Sequence, residues 1–314
     1  MGKLKKGFLL FMLLSLVFTF GGCSNATKNT SSTSSNTISA TKYPLTITDD
    51  LGKKVTIEKE PAKIVSLAPS NTEILFALGA GSRVAGRSEI DNYPAEASSI
   101  PVVGGLSGPN TESIIKLAPE VVFAIKGSLT DEAQKLLESS GIKVVTFNPA
   151  NIEGVYSDIR MAGEICNAQA KAKELTDSMQ AKREEILSKI ANVKSKKVFV
   201  DLGSFYTAGK GSFIDSMLKE LKADNIAAKT TGEWPQMSVE QIINSDPDVY
   251  ISLYTTLDDL KAVSGLSSTT AFKNGNVKVI ESGTPDNDVV QRPGPRVVDG
   301  LEIYAKIIYP EAFK

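Results

Sequence analysis

Glu112 and Glu240 stand at equivalent places in an internal echo, and that pairing is the most specific chemical signal in the sequence. The run from Asn110 to Val121 (NTESIIKLAPEV) recurs as Ser238 to Val249 (SVEQIINSDPDV) at a constant offset of 128 residues. In each copy a capping side chain opens a short helix, the acid takes its second position and paired isoleucines face inward. Proline and a second acid then lead into a strand. Two equivalent acids suit contact with a partner of twofold symmetry. A first-turn glutamate also favours the helix dipole on its own, by about 0.3–1 kcal/mol.

A second set of residues has the chemistry of a binding cleft. Trp234, the only tryptophan, sits in a loop between Gly232-Glu233 and Pro235-Gln236, which suits a cleft wall more than a core. Phe205 and Tyr206 lie in the glycine-rich loop Gly203 to Gly211, and Tyr93 precedes Pro94; each is a candidate for the same wall. In the stretch Thr284 to Arg296, read as a loop, Pro293 and Pro295 restrict the backbone and can hold Asp288 and Arg292 at fixed positions. Arg296 reads equally as a ligand contact and as half of a structural ion pair.

Bond-breaking chemistry has little to work with. The chain has no histidine and two cysteines, Cys23 and Cys166, which excludes an imidazole-based triad and a zinc site. Asp201, Glu233 and Asp288 form no paired acid/base constellation, so no catalytic residue is assigned and the expectation is that the protein is not an enzyme. The net charge falls from −1 to −4 once Lys3, Lys5 and Lys6 are removed with the leader discussed next, which disfavours nucleic acid.

That leader is an apolar run from Gly7 to Phe20 behind three lysines, too short for a bilayer-spanning helix and right for an export signal. With small residues just before Cys23 it resembles a bacterial lipoprotein signal over residues 1–22. The resemblance implies lipidation of Cys23 and anchoring outside the cytoplasm on a cell membrane, of Gram-positive type. A Ser/Thr/Asn-rich stretch, 23–42, reads as a flexible tether. Cys166, without a partner in the mature chain, reads as a small buried hydrophobe.

The elements that must position these residues alternate strand and helix in both halves, giving an α/β protein with mainly parallel sheets. Strands are expected at Ile64–Leu67, Val84–Gly86, Val121–Ile125 and Lys143–Phe147, then at Lys197–Leu202, Val249–Leu253 and Val277–Glu281. Ser70 and Glu73 read as a capping box for a helix over Asn71–Leu78. Residues 152–191 are helical in composition and free of proline. As one helix they would run about 58 Å and brace two Rossmann-like βα lobes, 43–151 and 192–314, with the ligand cleft between them. A coiled-coil arm is the alternative, but no clean heptad runs the full length.

From about Tyr43 onward the chain resembles the cobalamin- and siderophore-binding lipoproteins of bacterial ABC importers, the third class of periplasmic binding proteins. The resemblance is carried by Pro61 to Glu73 (PAKIVSLAPSNTE), Asp91 to Pro94 (DNYP), Val103 to Gly105 (VGG), Leu117 to Phe123 (LAPEVVF) and Trp234 to Glu240 (WPQMSVE). It implies a monomer without intrinsic cofactor or metal site, which captures a small metal-containing ligand and delivers it to a permease dimer. Glu112 and Glu240 then match the acids that pair with permease arginines. Trp234, Asp288 and Arg292 match residues that contact cobalamin, while Ile90 and Leu106 stand where cobalamin binders carry aromatic side chains. The resemblance ranks a corrinoid first, a ferric siderophore second and haem third. Arg87, Arg292 and Arg296 are the cations available to an anionic siderophore complex.

Overall fold

The computed structural model describes residues 39–105 and 108–314. A hairpin comes first, β1 (Leu45–Thr48) paired antiparallel with β2 (Lys54–Ile57). The N-terminal lobe follows as β3 (Ile64–Ser66), α1 (Pro69–Ala77), β4 (Val84–Ser88), β5 (Val102–Gly105), β6 (Gly108–Pro109), α2 (Thr111–Leu117), β7 (Val121–Ile125), α3 (Asp131–Ser139) and β8 (Lys143–Phe147). Two helices, α4 (Ile152–Ile165) and α5 (Gln169–Lys189), lead to the C-terminal lobe. That lobe holds β9 (Lys197–Asp201), α6 (Phe213–Glu220), β10 (Asp224–Asn225), α7 (Val239–Ser245), β11 (Val249–Ser252), α8 (Leu257–Ala262), α9 (Thr270–Lys273), β12 (Val277–Val279), α10 (Pro285–Val289) and α11 (Val297–Ile308).

Each lobe has its own sheet. The first runs β6-β5-β4-β3-β7-β8, parallel except for β6; the second runs β10-β9-β11-β12, parallel throughout. Their central strands are apolar on both faces because helices cover both: Val121–Ala124 and Val198–Val200 are all but inaccessible. The hairpin guards the β8 edge, where the Asp49 carboxylate accepts the Thr146 N–H and the Asp50 N–H donates to the Thr146 carbonyl. One apolar core runs from Ile64, Phe123 and Val145 through α4 and α5 to Val198, Val200, Leu301 and Tyr304.

The single 40-residue linking helix expected from the sequence is two helices. Cys166, Asn167 and Ala168 break it; Asn167 takes a left-handed φ of +54°, a conformation asparagine tolerates better than most residues. The turn works because Gly163 lets α5 close onto α4: a Cβ there would lie 2.6 Å from that of Ala172. The strut is therefore α5 alone, 21 residues and about 32 Å long. Lys171 at one end lies against Gly79 of the N-terminal lobe, and Arg183 near the other pairs with Glu220 of α6 and Glu153 of α4. Lys182 joins Asp299 and Glu302 of α11.

Other local expectations change for physical reasons. Helix α1 starts at Pro69 without a side-chain cap, and Ser70 and Glu73 are buried instead of forming a capping box. The stretch Thr284 to Arg296 is not all loop, since Thr284 caps α10. Thr41, placed in the tether, is fixed on the α4–α5 junction by hydrogen bonds to Asn167 (2.9 Å) and the Glu164 carbonyl (2.7 Å). Cys166 is buried as expected, and burial pushes its thiol up to about 12, leaving it inert. Cys23 and Leu106 lie outside the described residues. Among the described residues no helix is long and apolar enough to cross a membrane.

Candidate ligand cleft

The carboxyl ends of both parallel sheets turn toward the seam between the lobes, where ligands of such sheets collect. On the N-terminal side, Leu67, Ser88, Gly105 and Ser128 line a hollow of about 140 Å³ at the ends of β3, β4, β5 and β7. Gly105 leaves room for the Glu89 carboxyl group, which an added Cβ would meet at 2.2 Å and push aside.

On the C-terminal side, buried Asp201 organises the wall. Its carboxylate accepts the N–H groups of Gly203 (2.9 Å) and Phe205 (3.1 Å) and the Tyr250 hydroxyl (3.1 Å). Those bonds hold three successive residues at left-handed φ, Gly203 (+95°), Ser204 (+51°) and Phe205 (+62°), a costly backbone for the two that are not glycine. The bend sends Phe205 back against the core around Phe199 and Tyr250, so its ring packs within the lobe, and turns Tyr206 outward. A second strip runs alongside: Thr207 N–H donates to the Pro235 carbonyl (2.9 Å), Gly209 N–H to Glu233 (2.9 Å) and Met237 N–H to Phe205 (3.1 Å). Trp234 tops this strip.

Tyr206, Trp234 and Tyr254 are 50–51% exposed, unusual for aromatic side chains. The sequence reading missed Tyr254. It lies two residues beyond β11, at a strand's carboxyl end, and that position was the available signal. Its hydroxyl donates to the Gln291 side-chain carbonyl at 3.1 Å. Ile90 is exposed on the facing lobe.

A polar cluster closes the base of the seam. Asp288 accepts from Arg292 (2.7 Å) and from Asn92 (2.9 Å) of the opposite lobe. Arg292 also donates to Asn92 (2.7 Å) and Glu73 (3.2 Å), and Arg296 donates to Glu73 through Nε (2.8 Å) and Nη2 (2.7 Å). The Arg296 guanidinium sits 3.8 Å over the Tyr93 ring, which occupies Tyr93 within the seam. Two acids face two arginines, so the cluster is neutral. Arg87 adds no free cation: it is buried and donates to the Ser88 (2.7 Å) and Ser98 (3.2 Å) carbonyls.

The echo of the sequence is an echo of structure. Asn110 and Ser238 cap α2 and α7, the latter with a full capping box through Gln241, and both helices end in a left-handed residue, Ala118 (φ +48°) and Asp246 (φ +47°). Ile114 and Ile242 are inaccessible, each in its own lobe's second core. Lys63 N–H donates to the Glu120 carboxylate at 2.7 Å and its ammonium to the Leu117 carbonyl at 3.0 Å; Lys197 makes the same two bonds to Asp248 and Ser245. Glu112 and Glu240 are exposed in both copies.

A sequence profile described as "Periplasmic binding protein" matches residues 64–284. The chain belongs to the periplasmic binding protein family. An uncharacterized ABC transporter substrate-binding lipoprotein of Bacillus subtilis, YvrC, is 37% identical over 99% of both chains. A cobalamin-binding protein of Halobacterium salinarum is 31% identical over 83% of this chain and 73% of its own length. A crystal structure from Staphylococcus epidermidis, of a possible iron-binding periplasmic solute-binding protein, is 32% identical. It covers 80% of this chain and 100% of its own, with a TM-score of 0.69.

For a periplasmic binding protein the arrangement does what capture needs. The half-exposed aromatics offer apolar area, the seam cluster offers directed hydrogen bonds, and buried Asp201 holds the bend that turns Tyr206 outward. Among the described residues no group of three or more histidine, cysteine, aspartate or glutamate side chains is placed to hold a metal ion.

Proposed function

We propose that this periplasmic binding protein is the substrate-binding lipoprotein of an ABC importer whose ligand is cobalamin or a related corrinoid. The observation that carries the ligand class is the neutral seam: Arg292 and Arg296, the cations available for an anionic complex, are matched by Glu73 and Asp288. A ferric catecholate or hydroxamate gains little from a site without net positive charge. A corrinoid, flat and rimmed by neutral amides, suits both half-exposed aromatic side chains and a base that donates from Arg292 and accepts at Asp288. A ferric siderophore is the second reading, favoured by the Staphylococcus relative. Haem is the third, with Tyr206 or Tyr254 in place of an axial histidine.

Delivery would use the exposed pair Glu112 and Glu240, whose matched settings suit the arginines of a twofold permease. Cys23 would carry the lipid that holds the protein on the outer face of a Gram-positive cell membrane. Calorimetric titration with cyanocobalamin, dicyanocobinamide, a ferric hydroxamate, a ferric catecholate and haem tests the reading. The corrinoids should bind at least tenfold more tightly than the rest; tighter binding of either ferric complex would replace the first reading with the second.

A further inference from the structure

We infer that Glu73 is a positioning residue for the ligand site: from the N-terminal lobe it holds the Arg292 guanidinium of the opposite lobe at the cleft base. The inference rests on the proposed role of Arg292 toward ligand. Glu73 lies in the second turn of α1 with its side chain 2% exposed. Both of its ion-pair partners are arginines from the other lobe, so this buried acid is matched by charged donors across the seam.

The two arginines are bound differently. Arg296 takes a two-bond fork to both Glu73 oxygens, and its stacking on Tyr93 fixes the plane of the guanidinium. Arg292 donates one longer bond, at 3.2 Å, to the same Oε1, plus one each to Asn92 and Asp288. Those three bonds use both Nη1 hydrogens and one of Nη2. Of its five donors, Nε–H and one Nη2–H have no partner among the described residues, and these are what a ligand oxygen can take.

Asp288 lies four residues before Arg292, whose backbone N–H donates to the Asp288 carbonyl, and would follow it in any displacement. Glu73 and Asn92 tie it to the facing wall, and of these only Glu73 is charged and buried. Without that carboxylate, Arg292 keeps its charge and its acid neighbour but loses its register against the N-terminal lobe.

The test is a mutant cycle on the full chain with cyanocobalamin as probe: Glu73→Gln, Arg292→Gln and the double variant, each checked for cooperative thermal unfolding. A lost charged hydrogen bond predicts about ten- to hundredfold weaker binding for Glu73→Gln. In the Arg292→Gln background the same change should cost less than about threefold, because the residue acts through Arg292. An undiminished effect in that background, as a merely structural role would give, overturns the inference. If Glu73→Gln fails to fold, Glu73→Asp keeps the charge one methylene further away and should still weaken binding; unchanged affinity would overturn it. A ligand-free measurement separates this idea from the choice of ligand. In the wild type, nitrogen NMR should show hindered rotation of the Arg292 and Arg296 guanidinium groups, lost for both in the folded Glu73 variant. Hindered rotation that persists at Arg292 refutes the positioning role even if no corrinoid binds, whereas absent corrinoid binding with the predicted NMR change refutes only the ligand assignment.

Discussion

Replacing Asp158 with asparagine should make the protein more stable at neutral pH and leave it unchanged near pH 4. Asp158 projects from α4 into the core at 1% exposure, and neither carboxyl oxygen receives a hydrogen bond. Burial, and then the like charge of Asp50, push its pKa from 3.8 up to about 9. The two acids can share a hydrogen bond only while one carries a proton. Between those values the folded chain binds a proton that the unfolded chain has released, so stability falls as pH rises from about 4 toward 9 and is flat below. At pH 7 the gap of 3.2 units corresponds to about 4 kcal/mol as an upper bound, at about 1.4 kcal/mol per unit. Asparagine carries no titrating proton, and its amide can donate toward Asp50 as the protonated acid does. Urea unfolding of both proteins at pH 4, 5.5, 7 and 8.5 measures the effect. A stability difference that does not grow with pH, or an asparagine variant weaker than wild type at pH 7, refutes the reasoning.

The Glu112→Ala, Glu240→Ala double variant should bind ligand and unfold like wild type, yet lose stimulation of the cognate importer's ATPase in liposomes; undiminished stimulation removes the docking role. Tyr254→Ala should weaken corrinoid binding by about tenfold, through lost aromatic contact, with little change in melting temperature. Gly300→Ala places a Cβ 2.3 Å from the Val289 carbonyl oxygen, forcing α10 off α11. It should cost about 1–3 kcal/mol in urea unfolding and weaken ligand binding through Asp288.

The fold was readable wherever local pattern and tertiary outcome coincide. Ile114 and Ile242, with their caps and the acids after Pro119 and Pro247, announce the same unit twice, and the structure repeats it down to the Lys63 and Lys197 hydrogen bonds. Local pattern failed where a distant partner decides. Ser70 and Glu73 have capping-box spacing, but Glu73 is claimed by arginines 219 and 223 residues away. Nothing near Asn167 breaks a helix by composition; the break depends on Gly163 and Ala172 meeting once the chain has turned. Phe205 and Tyr206 are adjacent and alike in sequence, and only the left-handed bend held by Asp201 sends one inward and the other out.

With a single tryptophan in the chain, its emission reports directly on the proposed wall. Titrating the protein with cyanocobalamin while following Trp234 fluorescence should give saturable quenching at one ligand per chain, and Trp234→Phe should bind the same ligand at least several-fold more weakly by calorimetry. Emission that declines only in proportion to added absorber, with no saturation and no calorimetric signal, would contradict the account of this cleft as a corrinoid site.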